Sequence, residues 1–340
     1  MGGGHHRGIR RGARPITHRP QRAENTGVRS GFLRFVVRRL GAAAALIAIV
    51  ASAALLLARI APGSDASAFD VDPAAAAVEC ERIRCQDSLA VQYGVWFARA
   101  IRLDLGLSAR YRRPVANLVA ERGRNSLVLG CSALLLATVL GIPAGVVSGS
   151  RQGALASALT TASVLCLSLP SLVLALTLLV VASRTGWFPV GGIPPAEATA
   201  ALYLRHLALP VLALALPVAA MLERLQSRAI ADARAERCIL AAAARGVPAP
   251  RILWRHAWRL SLEPVLAIYG IVIGSLLGGS FAVEYVMAWP GLGALMYEAL
   301  VARDAYLVAG CAAAGAAALA VGIFAADVAL AAVNPRTIDA

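Results

Sequence analysis

The sequence contains no lysine, so its 33 basic residues are all arginine, set against 19 acidic residues. Aromatic residues make up only 6% and charged residues 15% of the chain. Hydrophobic residues make up 59%, whereas soluble domains average about 45–50% apolar. This composition excludes an ordinary soluble domain and favours a membrane protein, and the alanine- and arginine-rich bias is typical of a GC-rich bacterial genome.

Motifs for catalysis, nucleotide binding and metal binding are missing as well. There is no HExxH, no phosphate-binding GxxxxGK[ST] loop and no CxxC pair, so we predict no catalytic residue, no metal site and no cofactor held by this chain. An intramembrane enzyme is the alternative from a different class, with His206 or His256 as a base and Ser280 after two glycines. A secondary transporter would need an internal repeat, which the sequence lacks.

The six cysteines are scattered and suggest no shared function. Cys131, Cys166 and Cys311 lie in apolar stretches, where cysteine behaves as a small hydrophobic residue. Cys80 and Cys85 share one loop and would pair only on an oxidising side; on a helix, five residues apart, they would be badly placed for a disulfide.

Six apolar segments approach the roughly 20 residues that a helix needs to cross the hydrocarbon core of a bilayer. Pro170 predicts a kink or a broken end in the third segment, and the fourth is short, with Pro210 and Pro217 inside it. Small residues crowd three spans and would allow close helix packing; the residues are Gly270, Gly274, Gly278, Gly279, Gly310 and Gly315. The predicted spans are Leu40–Ala58, Ser126–Ser148, Leu155–Ser183, Leu207–Leu222, Pro264–Val283 and Leu307–Ala332.

The remaining chain is organised around these spans. Residues 1–31 are predicted to be a disordered basic tail, and 32–125 to be the first membrane helix with an extracytoplasmic loop. Ten arginines lie between Arg7 and Arg39, which favours a cytosolic N-terminus and an uncleaved first span. Residues 126–336 form the predicted membrane core. Because the basic charge flanks apolar spans, it indicates membrane orientation and no nucleic-acid partner.

A polar island, residues 223–263, interrupts the apolar core and carries eight arginines. Residues Ala235 to Ala244 are predicted to form an alanine-rich helix, with Gly246 as the left-handed residue that closes it. Pro248 and Pro250 can then start a second short helix at Arg251. The alanines would leave one face free of bulk for a partner. The alternative is a solvated linker with an ordinary glycine cap.

The order of residues in the island resembles the cytoplasmic coupling loop of bacterial ATP-binding-cassette importer permeases, in the dipeptide/oligopeptide/nickel branch. There, an alanine-rich turn runs into a basic residue and glycine, then Arg-His-Ala, then proline. Leu240 stands where the loop's usual glutamate would be. The matching residues are Ala241, Ala242, Arg245, Gly246, Arg255, His256, Ala257 and Pro264.

Other short motifs extend this resemblance over roughly residues 32–336. Each is weak alone, but all stand in the family's order around six spans. One turn departs from the family, with Ser64-Asp65 in place of Asp-Pro. The motifs are Arg38-Arg39-Leu40, Ala61-Pro62-Gly63, Gln92-Tyr93, Asp104-Leu105-Gly106, Arg113-Pro114-Val115, Leu169-Pro170-Ser171, residues 187–191, residues 206–210, Val283-Glu284, residues 289–293, Arg303-Asp304 and Asn334-Pro335-Arg336.

The resemblance implies an all-α integral membrane protein with the fold of a type I importer permease, in the bacterial inner membrane. It implies a second permease, two ATPase subunits that bind the ATP, and an extracytoplasmic binding protein. Peptides are the favoured substrates, with nickel or oligosaccharides as alternatives. The implied coupling residues are Ala241, Ala242, Ala244, Arg245, Gly246, Arg255 and His256, and the implied rim under the binding protein is Trp289, Pro290, Gly291 and Gly293.

Two features keep more than one interpretation. Asp327, near the end of the last span, is favoured as half of a structural ion pair or as a side chain reaching the interface, over a proton or substrate site. The turn at Trp289 is either an interfacial tryptophan with a tight turn or part of the rim.

Overall fold

The computed structural model describes residues 22–60, 87–195 and 197–333, and within these ranges the chain forms helices and turns without a β-strand. The basic tail before residue 22, the Cys80–Cys85 loop and Asn334-Pro335-Arg336 lie outside the described residues. In chain order the helices are α1 (Arg22–Ile60), α2 (Leu89–Ala100), α3 (Val115–Ser150), α4 (Ala154–Ser168), α5 (Ser171–Thr185), α6 (Ala200–Ala235), α7 (Arg237–Ala244), α8 (Ala249–Ile252), a π-helical turn (Leu253–Ala257), α9 (Trp258–Val286), α10 (Leu292–Val301) and α11 (Ala305–Val333).

Five of the described helices are long and apolar enough to span a membrane: α1, α3, α6, the continuous α8–α9 helix and α11. They confirm five of the six predicted spans. The third predicted span is broken, since α4 and α5 meet at an angle of 101°. Leu169 is extended, with φ −101° and ψ 118°, because the residue before a proline is driven away from helical geometry. Pro170 therefore separates two helices.

The packing of α3 on α6 shows that the segment containing the bent pair carries the chain from one end of the bundle to the other. Gly141 lies beside Ala219, Gly145 beside Gln226 and Gly149 beside Ser227, so the two helices run in the same direction. Both end on one face of the bundle. The segment between them must therefore return from that face to the opposite one, which makes α4–α5 a sixth, broken crossing.

Glycine permits this close contact between α3 and α6. A Cβ atom added to Gly145 would lie 2.6 Å from Gln226 Cβ and 2.7 Å from the Glu223 carbonyl oxygen, and one added to Gly149 would lie 2.3 Å from the Ser227 carbonyl oxygen. Of the glycines that the sequence singled out, Gly310 makes an equally tight contact, while Gly278 and Gly315 face open space.

The six crossings give the bundle two faces. We call the face where α3, α6 and α11 end the elbow face, and the opposite one the loop face. The start of α1 belongs to the elbow face, because Arg39 pairs with Asp327 near the end of α11 at 3.0 Å. This confirms the structural pair predicted for Asp327. Central to the bundle is α6, with sixteen buried residues, and it continues thirteen residues beyond the predicted end at Leu222.

Candidate functional site

The elbow is the segment 236–257, which lies on the elbow face between α6 and α9. Its first helix, α7, ends at Ala244 with Arg245 as its C-cap, and Gly246 adopts φ +78°. The Gly246 N–H donates to the Ala243 carbonyl at 2.9 Å, and the Val247 N–H donates to the Ala242 carbonyl at 3.2 Å. This pair of bonds is the Schellman arrangement that closes a helix with a left-handed residue. The predicted glycine turn is confirmed.

The second half of the elbow leads without a break into the membrane. Pro248 caps α8, and the helix then widens into a π turn at Leu253–Ala257 before α9 begins. Arg255 and His256 lie in this π turn and are exposed. A displacement of the elbow would therefore be transmitted directly to α9 by continuous helical backbone.

Burial divides the predicted coupling residues into two groups. Ala242 is only 4% exposed and, with Ile239, anchors α7 on its inner side, so it positions the elbow without offering surface. The exposed members are Ala241, Ala244, Arg245, Gly246, Arg255 and His256. Two apolar residues that sequence reasoning passed over join them, namely Leu240 at 58% and Trp254 at 59% exposure. Large apolar side chains inside a polar island were the signal that could have found them.

One side of the first third of the island packs inside the bundle. Glu223 is 2% exposed and Gln226 is fully buried, because α6 continues to Ala235 and packs against α3 and α9. The island's polarity suggested a solvated stretch from Glu223 onward, and the structure corrects this. Only the segment from Glu236 to Ala257 leaves the six-helix bundle.

The predicted rim on the loop face contains a buried tryptophan. Trp289 has no exposed surface, and its Nε1–H donates to the Asn125 carbonyl at 3.2 Å. The ring of Tyr203 packs edge-on against the Trp289 ring, with 6.1 Å between the ring centroids. Gly291 is buried too. Both residues therefore lie beneath the surface of the loop face, and their part in a rim stays a prediction. The same holds for Pro290 and Gly293, which are half-buried.

The glycines of this turn make room for a buried carboxylate. Glu284 accepts hydrogen bonds from Ser126 Oγ at 2.7 Å and from the Gly293 N–H at 2.6 Å. A Cβ atom at Gly291 would lie 2.4 Å from the Glu284 carboxylate. The network thus joins α3, α9 and α10 on the loop face. Ser126 carries no sequence signal, since its role depends on a partner 158 positions away.

Tyr111 and Glu298 form a second loop-face contact, in which the tyrosine hydroxyl donates to the carboxylate. Partial burial raises the pKa of Tyr111 above its usual range, and the neighbouring Glu298 carboxylate acts in the same direction. The described residues contain no group of three or more His, Cys, Asp or Glu side chains placed to hold a metal ion.

Comparison with known proteins assigns this architecture. Residues 141–339, which include the elbow and the last four crossings, match the family described as "Binding-protein-dependent transport system inner membrane component". The chain belongs to this family. The permease is accordingly a multi-pass membrane subunit that works with ATPase and binding-protein partners, and it is not itself an enzyme.

Individual relatives align over most of the permease. It is 30% identical to the oligopeptide transport system permease protein AppB of Bacillus subtilis (strain 168) over 311 residues, or 89% of this chain and 98% of the relative. A putative peptide transport system permease protein of Brucella abortus (strain 2308) is 33% identical over 285 residues, covering 81% and 89%. The glutathione transport system permease protein GsiC of Escherichia coli O6:H1 is 32% identical over 278 residues, covering 80% and 88%.

Proposed function

We propose that this permease forms half of the translocation path of a peptide importer and that a separate ATPase drives it through the elbow. The observation that carries the proposal is the exposed surface of the elbow. Leu240, Trp254 and the three exposed alanines of α7 (Ala241, Ala243 and Ala244) lie on the elbow and are apolar residues exposed among arginines. Exposed apolar patches with a polar border are typical of protein interaction sites.

The connections of the elbow favour a mechanical role for this surface. It sits between α6, the central helix of the bundle, and α9, and both cross the membrane. Its own turn is fixed by backbone hydrogen bonds and by the buried Ala242. An ATPase bound to the elbow would move it as a rigid body. This movement would shift α6 and α9 between two packing arrangements of the transmembrane helices, as in other domain-scale conformational changes.

We place the elbow face in the cytosol, where ATP is available. Among residues whose side chains the structure describes, the elbow face carries twelve arginines and five acidic residues. The loop face carries ten arginines and seven acidic residues. In the sequence, ten arginines lie between Arg7 and Arg39, before and within the start of α1. An excess of arginine is characteristic of cytoplasmic segments. The loop face would then meet the binding protein.

The substrate class follows from the relatives. Their names give oligopeptides, peptides and glutathione, itself a short peptide, as what those systems transport. We infer a di- or oligopeptide for this permease, with a second permease completing the path and two ATPase subunits supplying the energy.

Reconstitution tests this function. The permease is co-purified with the ATPase and the second permease of its own transport system, and inserted into vesicles with the binding protein. We expect ATP-dependent peptide uptake and ATP hydrolysis stimulated by the peptide-loaded binding protein. Vesicles lacking the binding protein are the control. A rate of ATP hydrolysis that is not stimulated by peptides but is stimulated by nickel or an oligosaccharide would contradict the substrate assignment.

The native Cys238 offers a test of orientation, because it is exposed on α7. In a variant that keeps only this cysteine and is expressed without the ATPase, we expect a membrane-impermeant maleimide to react in inside-out vesicles and not in intact cells. A matched variant with Arg102→Cys as the sole cysteine, on the loop face, should show the reverse. Labelling of Cys238 in intact cells would mean that the elbow lies outside the cell. That result would contradict the proposal that the elbow binds a cytosolic ATPase.

A further inference from the structure

Four polar side chains meet inside the bundle, close to the elbow, where α3, α6 and α9 come together. On α6, Glu223 accepts a short hydrogen bond from the hydroxyl of Ser148 on α3. One turn later, Gln226 Nε2 donates to Ser261 Oγ on α9 at 2.8 Å, and Ser261 in turn donates to the Trp258 carbonyl at 2.9 Å. The two α6 side chains therefore face the same three-helix junction.

Each of these two side chains keeps one buried oxygen without a donor. Within the part of the chain that the structure describes, Glu223 Oε2 and Gln226 Oε1 have no hydrogen-bond partner. Glu223 is 2% exposed and Gln226 0%. An unsatisfied buried oxygen loses its hydrogen bonds to water without replacement, and an uncompensated buried charge costs more, so native structures rarely leave such groups alone.

The chemistry of the junction restricts what can satisfy both atoms. Both orphaned atoms are acceptors, so an occupant must carry positive charge or donate hydrogen bonds. Among the described residues no arginine forms an ion pair with Glu223. Every ligand atom on offer is oxygen, the type that hard cations prefer. A single carboxylate balances a single positive charge, whereas Ca²⁺ sites usually combine several carboxylates.

We propose that Glu223 and Gln226 form an internal binding site for a monovalent alkali cation such as Na⁺ or K⁺. The carboxylate supplies the neutralising charge and the amide oxygen a second ligand. The hydroxyl oxygens of Ser148 and Ser261 are hydrogen-bonded to Glu223 and Gln226 respectively and can complete the shell. A cation at this site would link α3, α6 and α9 at the end of the bundle from which the elbow projects. This site is independent of the proposed substrate and of the ATPase.

Thermal unfolding of the purified full-length permease in detergent tests the proposal. We compare choline, Li⁺, Na⁺ and K⁺ chlorides at one ionic strength, so that general screening is constant. Na⁺ or K⁺ should raise the midpoint by about 2–4 °C in a saturable manner, as a ligand that binds only the folded state does. Glu223→Gln keeps the shape of the side chain but removes its charge, and should abolish the dependence on cation.

Asp232→Asn is the matched control, since Asp232 is an exposed carboxylate on the same helix and its loss should leave the cation effect intact. Should Glu223→Gln fail to fold, equilibrium binding of ²²Na⁺ or ⁸⁶Rb⁺ to the wild type decides the matter. We expect a stoichiometric, competable signal. Equal midpoints in all four salts, a stability that follows pH but not the cation, or an unchanged cation effect in Glu223→Gln would each overturn the proposal.

Discussion

Replacing Gly145 with valine is expected to cost the permease most of its properly folded population. The Cβ atom alone would collide with Gln226 Cβ at 2.6 Å and with the Glu223 backbone at 2.7 Å. Backbone cannot rotate away as a flexible side chain can. The helices α3 and α6 must therefore separate along the contact made by Gly141, Gly145 and Gly149. Overpacking of this kind costs about 1–3 kcal/mol, and we expect the upper end.

Gly130→Val is the matched control for this prediction. Gly130 lies on the same helix, and an added Cβ atom there would meet nothing within 4 Å. The measurement is the fraction of protein that elutes as a monodisperse peak after detergent extraction, together with its unfolding midpoint. Equal behaviour of the two variants would mean that α3 and α6 do not pack as closely in the membrane as described.

Gly246→Val is expected to uncouple the importer without preventing membrane insertion. Gly246 has φ +78°, a conformation that a β-branched residue adopts only with strain of about 1–3 kcal/mol. No neighbour would touch the new Cβ atom, so the effect comes from the backbone of the elbow alone. The turn would reorganise, and movement of the ATPase would no longer be transmitted through a rigid elbow to α6 and α9. We expect at least a tenfold fall in ATP-driven peptide uptake.

Gly186→Val separates coupling from general strain. Gly186 also has a left-handed φ of +67° and open space around it, but it ends α5 on the loop face. Both variants should insert equally, and only Gly246→Val should lose stimulated hydrolysis together with uptake. Normal uptake in Gly246→Val vesicles, or equal losses in both variants, would refute a specific role for the elbow turn.

Features that depend on neighbours along the chain could be predicted from the sequence. The break at Pro170 follows from the missing amide hydrogen of proline and from the restriction on Leu169. The turn at Gly246 follows from the tolerance of glycine for positive φ. Five of the spans follow from apolar length, although their ends extend beyond the predicted limits.

Features that depend on distant partners could not be predicted. Glu223 is polar and begins the island, yet it is buried, because its helix continues between α3 and α9. Trp289 lies in a turn typical of a surface, yet it fills a pocket formed with Asn125 and Tyr203. The tight glycines of α3 resemble any other glycines in an apolar helix until α6 is placed beside them.

The sequence by itself determined the membrane-spanning helices and the turn at Gly246, because apolar length and local turn chemistry act over a few residues, and the order of its short motifs indicated the importer-permease family. Only the tertiary structure decided which glycines bring helices into contact, which elbow residues are exposed, and that the polar groups of Glu223 and Gln226 share one junction. These properties arise from contacts between residues far apart in the chain, and the free energy of such contacts depends on the packing of whole helices.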